Sequence, residues 1–222
     1  VILAGSLDLS VPYVTSLASL IAAGVMANNP NNILSAVLLT LGTAAVIGLA
    51  NGLIVARLNV HGFIATLGVG LIISGYLATN FKGSFGQTPL EFRLVGATGI
   101  GAVPISTIIM LACAGRAMLL LHRTRVGHHL YAVGGDVAVA RASGIRVDVP
   151  VITAHVICSV LAGMAGLLLA SRLGVGSPTV GSQGGYELRS IAAVVRGGTL
   201  LSGGKGTITG TLGGVLICDM LD

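Results

Sequence analysis

The chain has no tryptophan, and aromatic residues are 4% of it. Charged residues are 9%, where soluble domains carry about 25%. So little charge cannot cover a water-exposed surface. The 54% of hydrophobic residues instead suits a bilayer, where apolar faces meet lipid. The net charge of +5 does not gather on an amphipathic face with interleaved aromatics, which excludes nucleic acid as a partner. The three cysteines, Cys113, Cys158 and Cys218, sit inside apolar runs without CxxC spacing. They read as small buried residues and say nothing about redox compartment. No basic n-region precedes the apolar stretch that opens at Val1, so no cleavable leader is expected.

Catalytic constellations are also missing. The histidines are dispersed, and the adjacent pair His128 and His129 would point in different directions on any regular element, so no metal site is expected. His155 stands alone in an apolar span and reads as a hydrogen-bonded packing residue. No serine has a base beside it. Ser202-Gly203-Gly204-Lys205-Gly206-Thr207 has the look of a phosphate loop, but Gly206 follows the lysine where Ser or Thr must hold magnesium, and Thr199 stands where the first glycine belongs. No catalytic residue, cofactor or metal is assigned, and any ATPase that drives this chain is a separate chain.

What is present is a series of apolar runs. A transmembrane helix needs about 20 mostly apolar residues. Val11–Ala27 is a short candidate ended by Asn28-Asn29-Pro30-Asn31-Asn32. Ile33–Ala56, Phe63–Thr79, Val103–Leu121 and Val151–Ala170 follow. A Gly/Ser/Pro-rich link (171–185), a short amphipathic stretch (187–196) and the apolar run Thr207–Met220 close the chain. The fold expected is an all-α polytopic transmembrane helix bundle with about five to seven apolar spans, Thr207–Met220 being a broken or truncated one. The 34 glycines include rows spaced by four. Gly48 and Gly52, Ala162 and Gly166, and Gly206, Gly210 and Gly214 would let neighbouring backbones approach closely.

The polar run His122–Pro150 interrupts the oil. Alternation of spans puts it on the same side as 57–62, and these two loops hold five arginines, Arg57, Arg123, Arg125, Arg141 and Arg146. The opposite loops hold Lys82, Arg93 and Arg172. The basic side is expected to be cytoplasmic. Charges in apolar context are costly unless paired or wet. Asp8 and Glu187 are therefore candidates for a polar path, with interfacial ends as the other reading for the charged residues of 187–196.

Four stretches, in order, carry a resemblance. They are Leu7-Asp8-Leu9-Ser10-Val11; Asn51-Gly52 followed by Phe63-Ile64-Ala65-Thr66-Leu67-Gly68; Tyr131-Ala132-Val133-Gly134-Gly135 with Ala140-Arg141 and Ser143-Gly144-Ile145; and Tyr186-Glu187-Leu188 with Gly197-Gly198-Thr199 and Gly203-Gly204-Lys205-Gly206-Thr207. In these the chain resembles the permease subunits of bacterial ABC sugar importers of the ribose, xylose, arabinose, galactose and autoinducer-2 type. It departs from their pattern at Pro12, His61-Gly62, Asp136, Ala138, Val139, Arg189 and Arg196.

The resemblance implies a multi-pass protein of the bacterial inner membrane that is not itself an enzyme. It would form a translocation path lined by Asp8, Ser10, Asn51, Thr66 and Glu187. It would work with a cytoplasmic ATP-binding subunit, a periplasmic sugar-binding protein and a second permease copy. Within a single permease domain (1–222), the segment 122–150 is implied to be the ATPase-coupling loop, with Gly134, Gly135, Asp136, Ala140, Arg141, Ser143 and Gly144 as its key positions. Family members have about ten spans, so the chain is expected to be incomplete at both ends. An ATP-independent secondary transporter or channel, and a non-transporting remnant, stand as alternatives.

Overall fold

The computed structural model describes residues 1–101 and 103–221. Its long helices are α2 (Ile33–Arg57), α3 (Gly62–Asn80), α5 (Ile105–Arg123) and α8 (Asp148–Leu173), each long and apolar enough to cross a membrane. The shorter apolar helices are α1 (Val11–Met26) and α11 (Ile208–Leu221). Between them lie α4 (Leu90–Ala97), a two-residue antiparallel ladder of β1 (Gly99–Ile100) and β2 (Val103–Pro104), then α6 (Arg125–Gly135), α7 (Val137–Ala142), α9 (Val180–Gln183) and α10 (Tyr186–Arg196). The expected all-α polytopic bundle is what is found.

Three boundaries differ from the sequence reading. The span expected from Val103 begins at Ile105, because Val103 and Pro104 pair with the preceding strand and Pro104 takes the N-cap position of α5. The basic run 122–150 is mostly helical, divided into α6, α7 and the start of α8. Of the two readings of Thr207–Met220, broken or truncated, the first does not hold: from Ile208 it is the uninterrupted helix α11, which is shorter than the four long spans. The break falls in the Gly/Ser/Pro-rich link. Gly176 exchanges backbone hydrogen bonds with Phe85. The chain then turns inward, Gly181 packing on the Pro12 carbonyl at the start of α1. From there α10 runs to the basic face, where Gly203 and Gly204 meet Gly5 and Gly134.

Irregular backbone survives inside such a bundle only if protein groups satisfy it. Two serines of α1 do so here. Ser16 Oγ accepts from Gly181 N at 3.0 Å, and Ser19 Oγ accepts from Ser177 N at 3.2 Å while donating to Ser177 O at 3.1 Å. The first crossing is broken too: a 3-10 turn, Ile2–Ala4, leads through a short stretch without helix into α1, which starts among buried residues of α2, α3 and α8.

With these crossings placed, Lys205, in the loop that meets Gly134, joins the five arginines of 57–62 and 122–150 on one face, while the Arg196 guanidinium turns to Cys218 Sγ of α11 at 3.1 Å. The opposite face keeps Lys82, Arg93 and Arg172. The charge asymmetry is thus wider than the loops alone indicated.

Close packing between helices runs through glycine. A Cβ at Gly48 would lie 2.7 Å from His155 O and Val156 Cα, and one at Gly52 would lie 2.7 Å from Ile152 Cα, so α2 and α8 touch backbone to backbone. Gly166 of α8 meets Ala18 of α1, and Thr15 Oγ1 donates to Ala162 O at 3.2 Å. Gly210 and Gly214 of α11 lie against Gly197 and Ala193. Gly206 stands outside this helical row, in the loop before α11, against Thr199.

Candidate functional site

The break before α1 gathers most of the polar side chains singled out in the sequence. From Leu7 to Ser10 the chain's N–H groups make no helical bonds and need other acceptors. Leu9 N donates to Thr66 Oγ1 at 3.0 Å, and Ser10 N donates to Asp8 Oδ1 at 3.0 Å. Ser10 Oγ donates to the same carboxylate oxygen at 2.6 Å, and Asn51 Nδ2 donates to Ser10 Oγ at 2.9 Å. Thr66 Oγ1 donates back to Gly62 O at 2.8 Å. The other carboxylate oxygen of Asp8 lies 3.2 Å from His155 Nδ1, whose Nε2 lies 3.3 Å from Ser6 Oγ.

This group is dry. Ser10, Asn51, Thr66 and His155 are 0% exposed, and the Asp8 side chain is 2% exposed. An ionised carboxylate moved from water to such a place costs several kcal/mol. Charge-assisted hydrogen bonds of about 1.5–3 kcal/mol each offset that cost. By this geometry the side chains replace the missing helix bonds and fasten α1 to α2, α3 and α8. Asn51 Oδ1 is a buried acceptor without a hydrogen-bond partner among the described residues.

Glu187 is not part of the group. It lies on α10, and its buried Oε2 has no hydrogen-bond partner among the described residues. Ser6 and His155 belong to the group and were not assigned to it from sequence. His155 carried a signal, an ionisable residue within an apolar span. Its partner Asp8 lies 147 positions away, which no local pattern reveals.

Beside the break is a cavity of about 850 Å³. Its walls come from the stretch before α1 and from α5, α8, α10 and α11, and are mainly aliphatic. Asp8, Thr15, Tyr186, Arg189 and Ser190 bring polar atoms to it. Among the described residues no cluster of three metal-ligating side chains occurs.

On the basic face, α6 and α7 form a small helical lobe. Thr124 caps α6, its Oγ1 accepting from Gly127 N at 3.3 Å. Asp136 ends α6 and caps α7, its Oδ1 accepting from Ala138 N at 2.7 Å and Val139 N at 3.0 Å. Alanine-rich sequence favours the single helical stretch that follows. Gly144, at φ 79°, takes the left-handed turn that ends it, and Ile145 N donates back to Ala140 O at 3.1 Å. Ala140 is buried with Val133 and Val151, while Val139 is 62% exposed and Val137, Arg141 and Ser143 are also exposed. α7 is thus seated on the bundle through Ala140, and its other positions, Val137, Ala138, Val139, Arg141 and Ala142, are exposed around the rest of the helix. Of the expected coupling residues, Gly134 and Gly135 form the end of α6.

The family described as branched-chain amino acid transport system / permease component matches residues 1–222. The chain is 41% identical to the ribose import permease protein of Escherichia coli K12, over 100% of its own length and 70% of that protein. It is 37% identical to the ribose import permease protein of Bacillus subtilis 168, over 100% of its length and 69% of that protein. With the galactose/methyl galactoside import permease protein of E. coli K12 it shares 32% identity, over 97% of its length and 69% of that protein. No solved structure matches it.

Proposed function

The chain belongs to the family of transport-system permease components, and we propose that it is the membrane-spanning subunit of an ATP-driven importer for a monosaccharide. The multi-pass bundle supports the first part. The ribose and galactose names of its relatives support the sugar. A permease moves its solute without covalent chemistry, so the hydrolytic work falls to a partner.

The observation that carries the reading is the exposed face of α7. A six-residue helix, capped by Asp136 and seated through Ala140, holds Val137, Val139 and Arg141 outward on the most basic face. Two apolar side chains and one arginine on a rigid support suit a shallow groove on an ATP-binding subunit. In this proposal the basic face is cytoplasmic, the membrane is the bacterial inner membrane, and a periplasmic sugar-binding protein meets the opposite face. A second permease copy completes the path. The cavity beside Asp8 opens toward that path, while Ser10, Asn51 and Thr66 hold the break behind it. Glu187 contributes from α10.

Replacing residues 135–143 with a Gly/Ser linker tests the docking. The ATP-binding subunit is expected to co-purify with the parent permease and to be lost from the linker variant. Unchanged co-purification would show that α7 is not the docking helix. The family description itself favours a second substrate class, the branched-chain amino acids. ATP-driven uptake of labelled leucine without uptake of labelled ribose would support that class over the monosaccharide.

A further inference from the structure

The lobe that carries α7 is joined to both broken crossings at one point. Gly134, one residue before the end of α6, lies on the carbonyl of Leu3 in the 3-10 turn. A Cβ there would also lie 2.6 Å from Gly204 N, in the loop between α10 and α11. Gly204 N in turn donates to Leu3 O at 3.0 Å, which closes the triangle. Gly203 completes it from below: at φ 90° its Cβ position lies 2.7 Å from Gly5 N and 2.9 Å from Gly134 O. Tyr131, one turn before Gly134, donates its hydroxyl to Gly206 O at 2.8 Å. Three backbones that are remote in sequence are therefore in contact with no side chain between them.

What each backbone leads to gives the joint its meaning. From Leu3 the chain needs only Ala4 and Gly5 to reach Ser6, which bonds His155, and then Asp8 just before α1. From Gly204 the chain returns through Lys205, whose carbonyl accepts from Leu200 N at 3.0 Å, to the end of α10. From Gly134 it continues into Asp136 and α7. Ala4 packs with Leu121, Leu130 and Ala154, so the 3-10 turn is seated against α5, α6 and α8 rather than hanging free. Close-packed contacts with no compressible side chain pass displacement on instead of absorbing it.

We infer that the contact of Gly134 with Leu3 and Gly204 is the joint through which movement of α7 reaches the two broken crossings together, so that Gly134 and Tyr131 are positioning residues for transport. This rests on the proposed docking of an ATP-binding subunit at α7. A joint of this kind differs from a docking residue in its consequence. Damage to it leaves the complex assembled and able to hydrolyse ATP, but wastes the hydrolysis.

The test uses the permease assembled with its ATP-binding subunit and solute-binding protein in liposomes, with labelled ribose as probe. Co-purification of the ATP-binding subunit, ATP hydrolysis and ribose uptake are measured on the same preparation. Gly134→Ala places a methyl group on Leu3 O, and Tyr131→Phe removes one hydrogen bond without adding an atom. Gly75→Ala on α3, where a Cβ meets nothing within 4 Å, is the control. Both joint variants are expected to retain the ATP-binding subunit while ribose moved per ATP falls about 2- to 30-fold, the span of measured coupling effects. If Gly134→Ala does not assemble, Tyr131→Phe decides alone. A wild-type ratio of ribose to ATP in Tyr131→Phe, or loss of the ATP-binding subunit from it, would overturn the inference and leave the proposed function standing. Absence of ATP-driven uptake by the unmodified complex would instead refute the proposed function.

Discussion

Replacing His155 by alanine is the most informative single perturbation of the buried polar group. His155 is 0% exposed and lies 3.2 Å from Asp8 Oδ2 and 3.3 Å from Ser6 Oγ. Its removal leaves a carboxylate that is 2% exposed, held by the N–H and hydroxyl of Ser10 with the Cys158 thiol beside it. Breaking a buried pair by deleting one partner costs about 3–5 kcal/mol, most of it the penalty of the charge left behind. For a chain of this size each kcal/mol corresponds to roughly 2–4 °C in melting temperature, giving a fall of about 6–20 °C. The assay is thermal unfolding of the purified protein in detergent, followed by loss of the monodisperse peak. A double variant tests the pair more sharply. Asp8→Leu/His155→Leu removes both polar partners and fills the space, so it should be less destabilised than the sum of the two single leucine variants, because residues in one network are not additive. A His155→Ala protein that melts within a degree or two of the parent would refute the claim that this pair fastens α1 to α8.

Gly48→Leu is expected to prevent α2 from reaching α8, since even a Cβ meets His155 O at 2.7 Å. Gly42→Leu, on the same helix with nothing within 4 Å, should fold normally, and expression with detergent monodispersity compares the two. Asp136→Ala removes a cap worth about 1 kcal/mol. It should lower the proportion of folded α7 and weaken retention of the ATP-binding subunit by up to about fivefold, with Asp136→Asn restoring most of it. Arg57→Ala breaks an ion pair with Asp148 at 3.5 Å whose side chains are 67% and 45% exposed, so its melting temperature should barely change.

Hydropathy made the long spans legible. Ile33–Ala56 and Phe63–Thr79 fall within a residue of α2 and α3, because a lipid-facing helix must be apolar along its whole length. Val151–Ala170 extends to Asp148 and Leu173, since Asp at the first turn and Arg172 in the last suit the helix dipole and the interface. The cap at Asp136 could be read from residue type and from the alanine-rich run after it. The crossing through 174–196 could not. Its first half has no apolar run, because it is shielded by protein and satisfied by Ser16 and Ser19 rather than by its own helix. The same holds for the polar group. Each of Asp8, Ser10, Asn51 and Thr66 stood out as polar among oil, but only the fold shows that Asp8, Ser10 and Asn51 bond to one another and Thr66 to the Leu9 N–H among them, with Asp8 also on the wall of the cavity. The glycine rows were visible as spacing. Their partners were not, and Gly206 left its row because α11 begins two residues later, at Ile208.

The most direct test of the proposed function is ATP dependence of uptake. The permease, reconstituted in liposomes with its ATP-binding subunit and solute-binding protein, should accumulate labelled ribose or galactose only when ATP is supplied to the face that carries α7. Uptake that proceeds equally without ATP, or that follows an ion gradient instead, would contradict it.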